Sequence, residues 1–212
     1  PTPVEDIVGT VATTTSWLLE HKPGQVVFPI AEEPLIAAFE RAGIPMSDEP
    51  EKIDVVVASY DRTFDYRKLQ IAFDAIWFHR RATLVGTNPD RFCPFPGGKG
   101  QPDCAAVVAA IEACTNTKAE IVLGKPNAEM ARVALAGLDL ELKDCLMVGD
   151  RLMTDIQLAV NAGMASAMPL TGESTLDEAM ARPEESRPTY VVDRIDHLLP
   201  PQVWEERGWA LE

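Results

Sequence analysis

Two aspartates follow an apolar run in Leu146-Met147-Val148-Gly149-Asp150-Arg151-Leu152-Met153-Thr154-Asp155. A buried strand ending in Gly-Asp would place Asp150 at the carboxyl end of a sheet, where open α/β folds gather their ligands. Gly149 has no side chain to keep the backbone away from a ligand. Carboxylates at this spacing can face one hard cation, one directly and one through a bound water, which is how magnesium is usually held. Gly-Asp alone describes many strand-end turns with a capping aspartate. The longer pattern, with Thr154-Asp155 opening a helix, is what singles the segment out. A second segment, Gly124-Lys125-Pro126, follows the short apolar run Ile121-Val122-Leu123. Its lysine would sit at another strand's carboxyl end, where an ammonium can hold a phosphate oxygen and offset the repulsion between clustered carboxylates. Pro126 suits the first turn of a following helix, where its missing N–H is not needed. Lys125 and Asp150 are therefore candidate catalytic residues, and Asp150 and Asp155 candidate ligands of Mg2+.

Such side chains need rigid elements to bring them together. The chain alternates strand-like and helix-like periods almost throughout, which predicts an α/β fold with mainly parallel sheets. An apolar stretch covers 4–8, and a helix is predicted over 10–19 before a turn at 21–24. Strands are predicted over 26–30, 53–59, 83–87, 121–123, 145–148, 166–170 and 190–192. Helices are predicted over 32–42, 65–78, 104–114, 128–138 and 154–162. Gly43 and Gly163 suit the left-handed position that ends a helix. Residues 88–102 hold four prolines and three glycines without sustained periodicity, and read as a long functional loop or a crossing between domains. The tail after Pro200, with Trp204 and Trp209, has no assigned role.

Composition narrows the partners. Nineteen Lys and Arg against 33 Asp and Glu give a net charge of -14. A polyanion such as DNA is repelled at long range, and no local basic patch reverses this. A phosphorylated metabolite remains compatible, because a divalent cation can screen its charge locally. No apolar run approaches the eighteen or so residues needed to span a bilayer, and no membrane association is expected. Cys93, Cys104, Cys114 and Cys145 match no metal or disulfide spacing, which suits reduced thiols in a cytoplasmic protein.

The segments around Lys125 and Asp150 resemble the third and fourth signature motifs of the haloacid dehalogenase (HAD) superfamily. Ser59-Tyr60-Asp61-Arg62-Thr63-Phe64-Asp65-Tyr66, Thr87-Asn88-Pro89-Asp90, Gly124-Lys125-Pro126 and Leu170-Thr171-Gly172 occur in the order seen in the NagD-like, subfamily IIA phosphatases. The resemblance runs from about Val4 to Leu199. It implies an α/β fold in which a Rossmann-like HAD core, here its C-terminal part, carries an inserted α/β cap domain of the C2 type. The implied division is 1–20 for a remnant of the front half of the core and hinge, 21–102 for the cap, and 103–212 for the C-terminal half of the core. The resemblance also implies Mg2+-dependent hydrolysis of a small phosphorylated substrate. In that scheme Asp150 binds the metal with Asp155 supporting it, and Lys125 positions the phosphate and the nucleophile. Asn88, Asp90 and Cys93 fall in the loop that reads the leaving group. Cys93 stands where related enzymes place larger polar or aromatic residues, and the family's Pro-Gly-x-Gly is here Pro102-Asp103-Cys104-Ala105. Cap-mediated homodimers are a further implication.

The family's nucleophile is an aspartate in an Asp-x-Asp motif at the end of the first core strand, attacking phosphorus while the second aspartate acts as acid and base. The sequence has no Asp-x-Asp at a buried strand end. The chain is therefore expected to be a C-terminal portion, with the nucleophile upstream and with core strands whose neighbours expose apolar edges. The competing reading is a non-catalytic module that binds a phosphorylated ligand with the same fold.

Overall fold

The computed structural model describes residues 2–3 and 6–208. Val4, where the expected apolar stretch begins, and Trp209 lie outside the described residues. The chain divides into two compact units, Pro1–Gly124 and Lys125–Glu212.

The first unit opens with helix α1 (Thr10–His21), followed by strand β1 (Val27–Ile30), helix α2 (Glu33–Arg41) and strand β2 (Val55–Ala58). Helix α3 (Tyr66–Phe73) runs on through one π turn, Asp74–Phe78, before strand β3 (Thr83–Gly86). The sequence Val55-Val56-Val57-Ala58 is buried at every position, the continuous apolar run expected of a parallel strand covered on both faces. A hairpin follows, β4 (Phe92–Phe95) with β5 (Lys99–Pro102), then helix α4 (Cys104–Thr115) and strand β6 (Ile121–Val122). The main sheet has the order β1-β2-β3-β6, with every pair parallel.

Alternation along the strands divides this unit's core. Val27, Val55, Val57 and Val85 share a cluster with Trp17 and Leu18 of α1 and Leu35 and Phe39 of α2. Phe28, Val56, Ala58 and Leu84 share the other with Ile71, Ala72 and Ile76 from the α3 segment and Val107 and Ile111 of α4. Two aspartates cap the helices of this second face: Asp65 accepts from the Lys68 amide at 2.9 Å, and Asp103 from the Cys104 amide at 2.6 Å.

One sequence expectation needs correction. Within the stretch 88–102, read without sustained periodicity, residues 92–102 form an antiparallel hairpin, with Cys93 opposite Gln101 and Pro94 opposite Gly100. Gly97 and Gly98, at φ of 78° and 73°, make its turn. The first compact unit runs to Gly124, because α4 supplies one face of its core and β6 pairs with β3. Helix α1 buries Trp17 and Leu18 in this same unit.

The second unit begins with a turn and helix α5 (Glu129–Leu135), shorter than the 128–138 expected. Pro126 precedes that helix instead of opening it, and the Lys125–Pro126 peptide is cis. Then come strand β7 (Leu146–Val148), a π turn over Leu152–Ile156, helix α6 (Gln157–Ala162) and strand β8 (Ala165–Pro169). Helix α7 (Leu176–Ala181), strand β9 (Tyr190–Val192) and helix α8 (Pro201–Arg207) complete it. The strands form a parallel sheet in the order β7-β8-β9, and among the described residues β7 has no neighbour on its outer side. Leu152, Ile156, Met168 and Ala179 form its buried cluster. Trp204, given no role from sequence, is buried and donates its indole N–H to the Asp196 carbonyl at 3.2 Å. No helix among the described residues is long and apolar enough to cross a membrane.

Candidate active site

In the second unit, Asp150 follows β7 and is held by the loop that follows β8. Its Oδ2 accepts from the Glu173 amide at 2.8 Å, and its carbonyl accepts from the Ser174 amide at 3.1 Å. Gly172 makes this approach possible, since a Cβ there would lie 2.1 Å from the Asp150 Cβ. Leu170-Thr171-Gly172, read from sequence only as part of a resemblance, thus acquires a physical role as the cradle of Asp150.

Asp155 is buried, with 4% of its surface exposed. Its Oδ1 accepts from Lys125 Nζ at 2.6 Å and its Oδ2 from the Arg151 amide at 3.2 Å. A second glycine admits it, because a Cβ at Gly149 would lie 2.4 Å from the Asp155 Cβ. Each acidic side chain therefore rests against a glycine, a relation that spacing alone does not reveal. The Lys125 side chain is 41% exposed, so its ammonium neutralises a buried carboxylate from a position open to a ligand. Leaving Asp155 without that partner would strand a charge away from water, which is far more destabilising than loss of an exposed pair.

The side chains of Arg151 and Glu173 form an ion pair at 2.7 Å, bridging the loops after β7 and β8. Leu152 N–H to Ser174 Oγ at 3.2 Å joins the same loops again. A cavity of about 410 Å³ beside them is lined by Arg151, Thr154, Glu173, Ser174 and Arg182. Thr154 Oγ1, next to Asp155 in the chain, is buried without a hydrogen-bond partner among the described residues. The donors Asp150 and Asp155 are oxygen only, with no sulfur or imidazole among them, and this set fits a hard cation such as Mg2+. Asp155, with Lys125 and an amide on its oxygens, suits support of the ion through water, and Asp150 suits direct ligation.

Asn88, Asp90 and Cys93 lie in the first unit. Asn88 Oδ1 accepts from the Asp90 amide at 2.9 Å, closing a turn around Pro89, and the Asp90 carbonyl accepts from the Ala105 amide at 3.0 Å. Asn88 Nδ2 lies 3.5 Å from Asp103 Oδ1. The Asn88 backbone also explains Gly124, where a Cβ would come within 2.8 Å of the Asn88 Cα. Cys93 is half-buried on β4, and the Tyr60 hydroxyl bonds the side chain of Gln101, its opposite number on β5. Asp61, Arg62, Phe64, Gln101 and Asp103 line a cavity of about 420 Å³ in this unit. Asp61 itself is buried and committed: it accepts from Lys68 Nζ at 2.6 Å and from the Thr63 amide at 2.8 Å. Cys104 is buried with its Sγ 3.1 Å from the Ala58 carbonyl, and burial pushes its thiol above the ordinary cysteine range.

The sequence and the fold are similar to those of known proteins. The HAD-hydrolase-like family model matches residues 122–198. A sugar-phosphatase of Bacillus subtilis, AraL, is 33% identical over 194 residues, covering 92% of this chain and 69% of the relative. A glycerol-3-phosphate phosphatase of Gallus gallus is 30% identical, and the aligned region covers 84% of this chain and 65% of that protein. Among solved structures, a 4-nitrophenylphosphatase of Thermotoga maritima superimposes with a TM-score of 0.81 at 30% identity, covering 93% of this chain and 73% of that one. The chain belongs to the HAD superfamily of phosphatases, subfamily IIA.

Proposed function

We propose that this chain supplies the metal-binding and phosphate-orienting part of a Mg2+-dependent phosphomonoester hydrolase acting on a small phosphorylated metabolite. The observation that carries the reading is the Lys125–Asp155 pair at 2.6 Å, with Asp155 on the segment after β7 that also bears Asp150. Asp150 would ligate the magnesium ion and Asp155 would support it. When bound, such an ion neutralises phosphate charge and makes phosphorus accessible to an anionic attacker. Lys125 would hold a phosphoryl oxygen and keep the transferring group in line.

The attacking group in this reading is an aspartate upstream of these 212 residues. Its carboxylate oxygen bonds to phosphorus as the ester P–O bond breaks, and the leaving alkoxide takes a proton from a neighbouring acid. Water then attacks the aspartyl-phosphate, releasing inorganic phosphate and restoring the carboxylate. The relatives' names, a sugar-phosphatase and a glycerol-3-phosphate phosphatase, favour phosphorylated sugars and polyols as the substrate class. Asn88, Asp90 and Cys93 are proposed to contact the part of the substrate beyond the phosphate.

The test is Mg2+-dependent release of phosphate from p-nitrophenyl phosphate and a panel of sugar phosphates by the enzyme carrying its nucleophile segment. Asp150→Asn should abolish turnover, and Lys125→Ala should lower kcat/KM by about a hundredfold or more. Substantial activity in Asp150→Asn would remove this residue from the metal site. Binding of phosphate and Mg2+ with no turnover of any ester would instead favour a non-catalytic binding module.

A further inference from the structure

The turn that carries Lys125 is tied to the α6 region by more than the ion pair to Asp155. Asn161 Nδ2 donates to the Pro126 carbonyl at 2.8 Å. Gln157 Nε2 donates to Asn161 Oδ1 at 2.9 Å, one helical turn away. Arg182, just past α7, donates from Nη2 to Gln157 Oε1 at 2.5 Å and from Nε to the Ser186 carbonyl at 3.0 Å. A line of side chains thus runs from Arg182 through Gln157 and Asn161 to the peptide beside Lys125.

The direction of this line is fixed by its ends. A guanidinium can only donate, and a carbonyl can only accept. Gln157 must therefore offer its oxygen to Arg182 and its N–H to Asn161. Asn161 must offer its oxygen to Gln157 and its N–H to Pro126. Reversing either amide breaks two bonds and sets like dipoles against each other.

We infer that Arg182, Gln157 and Asn161 form a one-way hydrogen-bond relay that positions Lys125 for the phosphoryl group. The relay's function rests on the proposed phosphate-holding role of Lys125. None of the three touches the reacting atoms in this scheme, so each is a positioning residue.

The relay makes an unusual prediction for Gln157→Glu. The carboxylate would bind Arg182 more strongly, as a charged pair, but it has no N–H for Asn161. Asn161 then turns its amide toward Glu and its oxygen toward the Pro126 carbonyl. The helix stays anchored while the Lys125 turn is released. Asn161→Asp should act alike, since it accepts from Gln157 yet presents only oxygen to Pro126.

Two readouts on the 212-residue chain decide the matter. The first is the side-chain ¹⁵N resonance of the Lys125 ammonium, assigned by its loss in Lys125→Ala. The second is the affinity for inorganic phosphate in the presence of Mg2+, by calorimetry. Gln157→Glu and Asn161→Asp should each shift or broaden the Lys125 resonance and weaken phosphate about threefold to tenfold. Their melting temperatures should match wild type, and neither should weaken phosphate further in a Lys125→Ala background. An unchanged resonance and affinity in Gln157→Glu overturns the relay. An equal loss in the Lys125→Ala background overturns it too, by showing that the effect bypasses Lys125. Should Lys125→Ala itself leave phosphate affinity unchanged, the phosphate reading fails, and the Lys125 resonance alone then judges the relay.

Discussion

At the scale of single residues, the site depends on two positions that have no side chain. A methyl group at Gly172 would stand 2.1 Å from the Asp150 Cβ, and one at Gly149 would stand 2.4 Å from the Asp155 Cβ. Neither gap can hold two carbons, so one loop must move. Gly172→Ala should therefore weaken Mg2+ binding more than tenfold, on the order expected when a ligand is displaced by about an ångström. Isothermal titration with Mg2+ measures this, and unchanged affinity would show that Asp150 does not bind the ion. Asp150, Asp155 and Lys125 were legible in the sequence because strand-end Gly-Asp and Gly-Lys-Pro are local patterns. The contacts of Gly172 with Asp150, Asn161 with Pro126, and Arg182 with Gln157 were not legible, because each joins residues far apart in the chain. Asn161 in particular looks like any polar residue on an exposed helix until the direction of its amide is known.

At the scale of elements, the alternation of strands and helices was readable, and the irregular stretch was misread. Prolines at 94, 96 and 102 argue against strand pairing, since proline lacks the ladder N–H. The hairpin tolerates two of them because Pro94 faces Gly100 and Pro102 lies at its last pair, while Pro96 sits in the turn. The signal available in advance was Gly97-Gly98, the residues best able to turn with positive φ.

The connection from α4 to β6 offers a pH test. Lys118 Nζ at 2.7 Å and the Ala119 amide at 2.9 Å both bond Glu112, and they hold its carboxyl below the usual glutamate range. A carboxyl lowered by folding adds stability above its unfolded value near 4.5, and that stability is lost as pH falls through the lower folded value. Glu112→Gln should thus melt below wild type at neutral pH, with the two curves converging in acid. A gap that stays constant from neutral to acidic pH would show that the carboxylate charge is not what fastens this loop.

At the scale of the whole molecule, the expected α/β class held. Residues 104–122 read as one more helix and strand, and periodicity alone does not say which sheet they join. What decides the matter is the pairing of Val85 with Ile121, a contact across 36 positions that periodicity cannot see. The same is true of α1, whose Trp17 and Leu18 choose the sheet they cover only once β1 and β2 exist. Local patterns specify what each segment is, and long-range pairing specifies where it belongs.

The outer side of β7 also bears on how the protein behaves in a tube. Among the described residues that strand has no partner on the side away from β8, beside Leu146, which is 42% exposed, and a bare edge is a template for any chain that drifts into register. A net charge of -14 keeps such encounters rare in dilute buffer, because like-charged particles repel beyond contact. Added salt shortens that repulsion to about 3 Å at about 1 M, and the colloid then loses its protection. Light scattering from this chain should rise with sodium chloride and with protein concentration. Leu146→Lys, a charge set on the edge itself, should flatten that rise.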